Sequence, residues 1–553
     1  MVEEMRKYTR VVFLLPAMCA LLTGGCRQSR KLPETQEAQE EIIWAELYCD
    51  VDWWHPAAWS TENGTITGDI TEKTGVALKT TVPLRDADKQ LSLMLLEDEL
   101  PDLITVVDST RIGQLTSSGK VWELEEFLEK YCPDSHLLRE FPEDIKQALI
   151  KRDGAWYAYP SHMNSADARE IWEPCDSYYW DLVNYSDNNA IMWNRSLLEQ
   201  LGLSADELST EEQVMAAWEK AKESGITVDG ERMIPLLIDG AGYWNPTVKY
   251  LQYTFGAEYM DEDGNYRDII LAPESRHALY FLNRAYRNGY LEAEQVNYKN
   301  AAVKQKIAAG NVLCFIGNIA NTDLDATKWI SSGAIRSSEG KRPVLGKSPR
   351  GGTGWMQTFI SKDCKNPGQV AEFLDYMTGE EGMRDWYFGR EGEHYSVGED
   401  GRIVLTEEQA ALRANYEKTD VGVWWMFENT CWIRSVLAPP KESSRLAQED
   451  AIKIAFGKDE STVIYNSAPF ELYSGLLAGD PGQEEAEEAL TRLRRTCINR
   501  ILLAESDAEF EKEYTAMINA LHAQGIAGID AQKNRVFQKN QQEMGVYPEK
   551  IND

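Results

Sequence analysis

The chain has 553 residues and a formal net charge of −33, with 90 acidic against 57 basic side chains. That balance excludes a nucleic-acid partner, because phosphate backbones are held by basic surfaces. The length fits about three domains of average size or one fold of two lobes, so size alone does not set the architecture.

At the N-terminus Arg6, Lys7 and Arg10 precede an apolar run from Val11 to Leu22, and Thr23-Gly24-Gly25 leads to Cys26. This is the layout of a secretory signal. The run is shorter than the roughly 20 residues that cross a bilayer, and Pro16 interrupts it. Small residues before a cysteine are what a lipoprotein signal peptidase admits, although Thr23 stands where an apolar residue is usual. Residues 1–25 are therefore expected to be a lipoprotein signal peptide and Cys26 the lipidated residue, with plain secretion as the alternative. Residues 26–41 are polar, without apolar periodicity, and read as a disordered tether.

Beyond the tether, Ile42–Cys49 is a short apolar run, Ile66–Thr74 has helical character and Val76–Val82 is again strand-like. Such alternation predicts an α/β fold. A helix is expected over Leu91–Leu96, and the apolar run Asp102–Val107, closed by Asp108, reads as a buried parallel strand. Ile191–Trp193 opens a strand that leads into Arg195–Leu201, where Gly202 stops a helix, and Thr210–Ser224 is a longer helix. Val312–Ile316 and Met356–Ile360 are later strands, Pro367–Met377 is a helix with proline in its first turn, and the chain is helical from Glu484 onward. No internal repeat is present.

Seven cysteines follow Cys26, namely Cys49, Cys132, Cys175, Cys314, Cys364, Cys431 and Cys497. Their number is odd, their spacing wide, and no CxxC pair occurs, so neither a zinc site nor a disulfide framework is expected. Asp261-Glu262-Asp263-Gly264-Asn265 resembles the start of a calcium loop, but Leu271 and Ala272 stand where the closing glutamate belongs, and a hairpin is the better reading. No metal and no cofactor are expected.

Several segments together resemble family 1 of the extracellular solute-binding proteins, the oligosaccharide-binding subunits of ABC importers, in its long Gram-positive lipoprotein branch. The residues that carry the resemblance are Glu99-Leu100-Pro101-Asp102-Leu103-Ile104, Asp153-Gly154-Ala155-Trp156-Tyr157-Ala158-Tyr159-Pro160 and Ile191-Met192-Trp193-Asn194-Arg195 followed by Leu201-Gly202. Cys364-Lys365-Asn366-Pro367, Phe373-Leu374-Asp375-Tyr376, Gly389-Arg390-Glu391-Gly392 and His394-Tyr395 continue it. Asn194 and Arg195 invert the order usual in the family.

The resemblance implies an α/β, two-lobed periplasmic-binding-protein-like fold of type II, with hinge strands between the lobes and a helical C-terminal region. Lobe 1 is expected to comprise 42–165 and 345–395, and lobe 2 to comprise 185–340 and 400–553 with the C-terminal helices. It further implies a carbohydrate ligand in the cleft, ABC transporter permease subunits as partners, a monomer, and attachment by the lipid anchor to the extracytoplasmic face of the cell membrane. Two other classes stay open, a secreted polysaccharide-degrading lipoprotein and a surface ligand sensor.

Sugars present flat C–H faces and edge hydroxyls, so a binding cleft needs aromatic platforms and a few fixed polar groups. Among 17 tryptophans, Trp53 and Trp54 follow the first strand, where α/β sheets place ligand loops. Asp108 ends the strand over 102–107, Trp244 lies in a Gly-rich loop, and Trp355 enters a strand after Gly351-Gly352-Thr353-Gly354. Trp424 and Trp425 are adjacent, so in a strand one faces in and one out; Trp424 is the candidate. Core packing is the competing reading for each ring. Six histidines form no HExxH and no nucleophilic triad order, and no GxSxG or phosphate loop occurs, so no catalytic residues are expected. Cys26→Ala is expected to release the protein into the medium or to leave an uncleaved precursor, and membrane retention with normal processing, read by fractionation and mass, would exclude lipidation at this cysteine.

Overall fold

The computed structural model describes residues 41–544 apart from 53, 84–86, 349–350, 353, 414–415 and 471–480. The chain divides into two units, Met1–Glu41 and Ile42–Asp553. The expected signal peptide and tether belong to the first, and Cys26 and Trp53 lie outside the described residues.

In chain order, two short hairpins aside, the strands are β1 (Ile43–Cys49), β2 (Val76–Thr81), β3 (Leu103–Val106), β4 (Ala158–Pro160), β5 (Asn164–Ser165), β6 (Asn189–Asn194), β7 (Ile234–Ile238), β8 (Val312–Asn318), β9 (Trp329–Ile330), β10 (Val344–Lys347), β11 (Gly351–Gly352), β12 (Gln357–Ile360) and β13 (Val463–Asn466). The first sheet has the order β2-β1-β3-β12-β4. Its first three strands run parallel, with Leu47 opposite both Thr80 and Leu103. β12 enters antiparallel, pairing Gln357 with Val106 on one side and Pro160 on the other. All four residues of β3 are buried, as a parallel strand covered on both faces must be. The second sheet has the order β9-β6-β8-β7, with β8 parallel to β7 and antiparallel to β6.

Local chemistry sets the ends of the helices. Thr65 caps helix Ile66–Thr74 by accepting from the Gly68 N–H, and Gly75, at φ 70°, closes it in the left-handed conformation. Helix Glu211–Glu223 starts with a capping box between Thr210 and Gln213.

Each sheet anchors its own core. Around the first gather Leu47, Trp54, Trp59, Phe373, Trp386, Trp424 and Trp432, and around the second Trp193, Trp218, Leu236, Phe281 and Ile316. The first core also holds Tyr179, Leu182, Ile403, Val423, Phe427 and Leu437. Ile403 and the residues from Val421 to Leu437 thus pack in lobe 1, which corrects the expectation that lobe 2 resumes at 400. The reason is packing: rings from this stretch meet Trp54, Trp59 and Phe373. The final helices, Pro481–Leu502, Asp507–Ala523 and Ile526–Met544, cover lobe 2, where the Asn283 amide donates to the carbonyls of Ile501, Leu502 and Ala504.

β10 pairs parallel with β13, Leu345 and Ile464 joining the lobe 2 core, and β11 pairs antiparallel with β5. All seven cysteines are free. The Asp261–Asn265 segment is a tight turn in which the Asp261 carboxylate accepts from the N–H groups of Asp263 and Asn265. No helix of the described residues is long and apolar enough to cross a membrane.

One buried pair in lobe 2 makes stability depend on pH. His277 Nε2 lies 2.6 Å from Glu211 Oε1, and the same oxygen accepts from the Ser338 N–H. Burial lowers the His277 pKa, but the hydrogen bond and charge of Glu211 outweigh it and the net shift is upward. Burial raises Glu211, and His277 and Ser338 outweigh that, so the net shift is downward. The stabilisation is therefore complete below the histidine's unfolded value of 6.5 and is lost as pH rises through the raised folded value. At the acid end it is present above the Glu211 reference of 4.5 and fades as pH falls through the lowered folded value. His277→Gln is expected to cost about 1–3 kcal/mol at pH 6, and the gap in urea midpoint between variant and parent should shrink toward pH 9.

Candidate functional site

In lobe 1 four chain segments meet at the carboxyl ends of the parallel strands, where α/β sheets present ligands. Asp50 follows β1, Val107 and Asp108 follow β3, Ser161 and His162 follow β4, and Trp355 and Met356 precede the antiparallel β12. The last junction needs glycine. Gly354 sits at φ 102°, and a Cβ there would fall 2.3 Å from the Ser161 carbonyl oxygen and 2.8 Å from Pro160 Cβ. This close approach lets the Trp355 N–H donate to the Ser161 carbonyl.

Trp355 is 40% exposed, and its ring meets the His162 ring edge to face at 5.3 Å between centroids. His162 takes a left-handed conformation, φ 57°, which is uncommon for a residue with a Cβ and is held only where neighbours enforce it. Glu428 does so at two points. Its carbonyl accepts from the His162 N–H at 2.7 Å, and its carboxylate lies 3.4 Å from Nε2. On the other side of the ring, Nδ1 is 2.8 Å from Ser161 Oγ. Glu428 closes the short 3₁₀ turn Trp425–Phe427 by donating its N–H to the Trp425 carbonyl. Half-buried Trp425 is thus tied to Glu428 through the backbone of this turn.

The other sequence candidates fall elsewhere. Trp54 and Trp424 are both 0% exposed. Their rings contact each other edge-on at 5.9 Å, and the Trp54 indole donates to the Val423 carbonyl. As placed, neither can stack on a ligand, which corrects the expectation for both. Trp54 instead backs the Trp425 ring at 6.4 Å. The Trp424–Trp425 pair does not lie in a strand, although the buried-then-open alternation persists. Asp108 caps helix Ser109–Ser118, its carboxylate accepting from the N–H groups of Thr110 and Arg111. Trp53 is outside the described residues. Arg390, in the Gly389–Gly392 motif, grips Asp69 through Nε and Nη2.

Each sheet end also carries a buried carboxylate that fixes loops. Asp50 accepts from Arg111 Nε at 2.6 Å and from the Val107 N–H; burial pushes its carboxyl up against the pull of Arg111. In lobe 2, Asp239 follows β7 and accepts from the Asn318 N–H and the Asn321 amide, both at 3.0 Å. Burial raises it as well. Asp239 opens the loop that carries Trp244, a half-buried ring packed on the lobe 2 core. Trp244 and Trp355 thus lie on different lobes. A recess of about 250 Å³ among His136, Trp172, Asp375 and Trp432 shares no residue with either strand-end group.

This topology, two α/β lobes joined by several crossings with an antiparallel strand inserted in the first sheet, has counterparts among known proteins. The family model described as bacterial extracellular solute-binding protein matches residues 58–384. The chain belongs to that family. Several solved solute-binding proteins share the fold. An EF-hand mutant of the Streptococcus pneumoniae ABC-transporter substrate-binding protein FusA, in complex with fructo-nystose, is 16% identical, with a TM-score of 0.66 over 91% of this chain and 100% of that one. An HMO-binding, ABC-transporter-associated solute-binding protein from Bifidobacterium longum infantis is 12% identical, with a TM-score of 0.61 over 90% and 98%. The N-glycan transport solute-binding protein NgtS of Streptococcus pneumoniae is 14% identical, with a TM-score of 0.57 over 91% and 100%. No curated protein sequence matches the chain.

In this solute-binding protein the buried and exposed tryptophans should separate cleanly on substitution. Trp54→Ala or Trp424→Ala is expected to remove about 3–5 kcal/mol of stability, whereas Trp355→Ala should stay within about 1 kcal/mol of the parent. Denaturant unfolding without ligand measures both.

Proposed function

We propose that the protein captures an oligosaccharide at the extracytoplasmic face of the cell membrane and delivers it unaltered to the permease subunits of an ABC importer. The observation that carries this reading is the lobe 1 group in which an exposed ring, Trp355, stands beside His162 and Glu428. A flat apolar face flanked by fixed polar groups is the combination that a sugar ring, with its C–H face and edge hydroxyls, demands. The printed descriptions of the fold relatives, which name fructo-nystose, HMO and N-glycan transport, support a carbohydrate.

Trp244, on the Asp239 loop, supplies the facing platform from lobe 2. Asp108 contributes through its cap, fixing the helix that carries Arg111. Binding works as a monomer by hinge closure: ligand shifts the population toward the closed form only through contacts that it makes better there, and two platforms on separate lobes provide such contacts. Cys26 holds the body to the membrane through lipid, and the 26–41 tether lets it reorient toward the permease. A single acyl chain binds membranes reversibly unless a second signal helps.

Calorimetric titration of the purified protein with a panel of oligosaccharides tests the reading, with chromatography of the same mixtures. Saturable binding without new products is expected, and product formation would replace capture with polysaccharide degradation. Trp355→Ala should weaken binding of the oligosaccharide identified by about 5- to 150-fold, the scale of one lost stacking contact at about 1–3 kcal/mol. Unchanged affinity would remove Trp355 from the site.

A further inference from the structure

Four segments of lobe 2 are joined by hydrogen bonds at the ligand end of its sheet. β6 and β8 pair Asn189 with Asn318, and the Asn188 carbonyl accepts from the Ile319 N–H at 2.9 Å. The Asn321 amide donates to Asp239, and the Asn321 carbonyl accepts from the Asn300 amide at 2.8 Å. In the loop after Asp239, the Ala241 N–H donates to the Tyr298 carbonyl at 2.8 Å. Gly240, at φ 52°, permits that contact, since a Cβ there would fall 2.4 Å from the same carbonyl oxygen. The stretches 186–189, 240–245, 297–300 and 318–322 therefore form one continuous rim, and Trp244 stands in it.

The composition of this rim departs from that of the chain. It holds seven asparagines against one carboxylate, Asp187, and one ammonium, Lys299, in a protein with 90 acidic side chains. Asp187 is engaged, accepting from the Asn189 N–H at 2.7 Å. Asn300 and Asn321 hold the rim together, and Asn318 Oδ1 accepts from the Ala320 N–H. The side chains of Asn188, Asn245 and Asn297 are exposed and make no hydrogen bond among the described residues, so a ligand can reach them.

A side-chain amide offers two donors and an acceptor with no net charge. It meets a sugar hydroxyl in either role, and it gives up less hydration on contact than a carboxylate or an ammonium does. A charged rim would select the opposite charge in its ligand, whereas an amide rim selects hydroxyls. The lobe 1 group agrees, because its carboxylates are matched within the protein: Asp50 lies 2.6 Å from Arg111 and Glu428 3.4 Å from His162.

We propose that this asparagine rim is the lobe 2 recognition surface for a neutral oligosaccharide, with Trp244 taking the face of a sugar ring and Asn188, Asn245 and Asn297 taking hydroxyls along the oligomer. The assignment rests on the carbohydrate reading above and narrows its substrate class to uncharged sugars. Affinity then owes little to charge, and salt, which screens charged contacts, leaves it unchanged.

A glycan array divided into neutral, uronate-bearing and sulfated members tests it, followed by calorimetry on the strongest binders at about 20 mM and about 500 mM NaCl, a range over which exposed charge pairs are screened out. The proteins are the parent, Asn188→Ala, Asn245→Ala, Asn297→Ala and Lys299→Gln. Neutral members are expected to bind with the same affinity at both salt concentrations. Each asparagine substitution should weaken them about 3- to 10-fold, the size of one net hydrogen bond, and Lys299→Gln should leave them unchanged. Melting temperatures without ligand identify any variant that fails to fold, in which case the other two positions carry the comparison. Neutral binders indifferent to all three asparagine substitutions would overturn the rim. Binders confined to the uronate or sulfated arms, or an affinity that falls with salt and with Lys299→Gln, would overturn the neutral class and leave oligosaccharide capture standing. No glycan binding at all would remove the carbohydrate reading itself.

Discussion

The insertion of β12 between β3 and β4 is the constraint on which the rest of the protein depends. Gln357–Ile360 is made after lobe 2, yet it occupies an interior position of the lobe 1 sheet, hydrogen-bonded on both edges. Its side chains are buried, and Thr358 Oγ1 meets Thr105 Oγ1 at 2.9 Å inside the sheet. The chain must therefore return across the interlobe gap before the first core can close. The residues just ahead of β12 are then fixed at the ligand end of the sheet. Gly354 permits the close approach to Ser161 and Pro160, and Trp355 is held out beside His162 as a direct result.

The two sheet ends solve one problem in the same way. Loops at strand ends carry unsatisfied backbone donors, and in each lobe a single buried aspartate collects them. Asp50 ties the β1 exit to the β3 exit and to Arg111, and Asp239 ties the β7 exit to the β8 exit and to Asn321. Burying a carboxylate is costly, which is why both are pushed toward protonation. The charged hydrogen bonds offset that cost and leave the loops rigid, and a rigid loop holds an aromatic platform with little entropy left to lose.

The strands were legible in the sequence because buried parallel strands are near-continuous apolar runs, and the expected runs over 42–49, 102–107 and 312–316 each coincide with a strand to within a few residues. The order of family motifs carried the two-lobed architecture. Burial of individual tryptophans was not legible. Trp54 is closed over by a segment whose hydrogen-bonding carbonyl, that of Val423, lies 369 residues away, and no local pattern reports such a neighbour. For the same reason the packing of Val421–Leu437 into lobe 1 was not legible. His162 and Glu428 were missed because each is unremarkable in its own segment. Only a left-handed backbone at a histidine, visible in the fold, draws attention to them.

The late position of β12 also bears on how the chain acquires its structure. Lobe 2 draws its sheet, β6 to β9, from the continuous stretch Asn189–Ile330, so that sheet can form as soon as this stretch is available. The lobe 1 sheet cannot be completed until residue 360 has been delivered, and its aromatic core waits longer, for Trp424 and Trp432. Until then β3 and β4 present open hydrogen-bonding edges to one another across an unfilled slot, in contacts of long sequence separation that are slow to form. The sheet that begins first along the chain is thus the second to be completed, and the species at risk on the folding route is a molecule with an intact second sheet and a first sheet missing its inner strand.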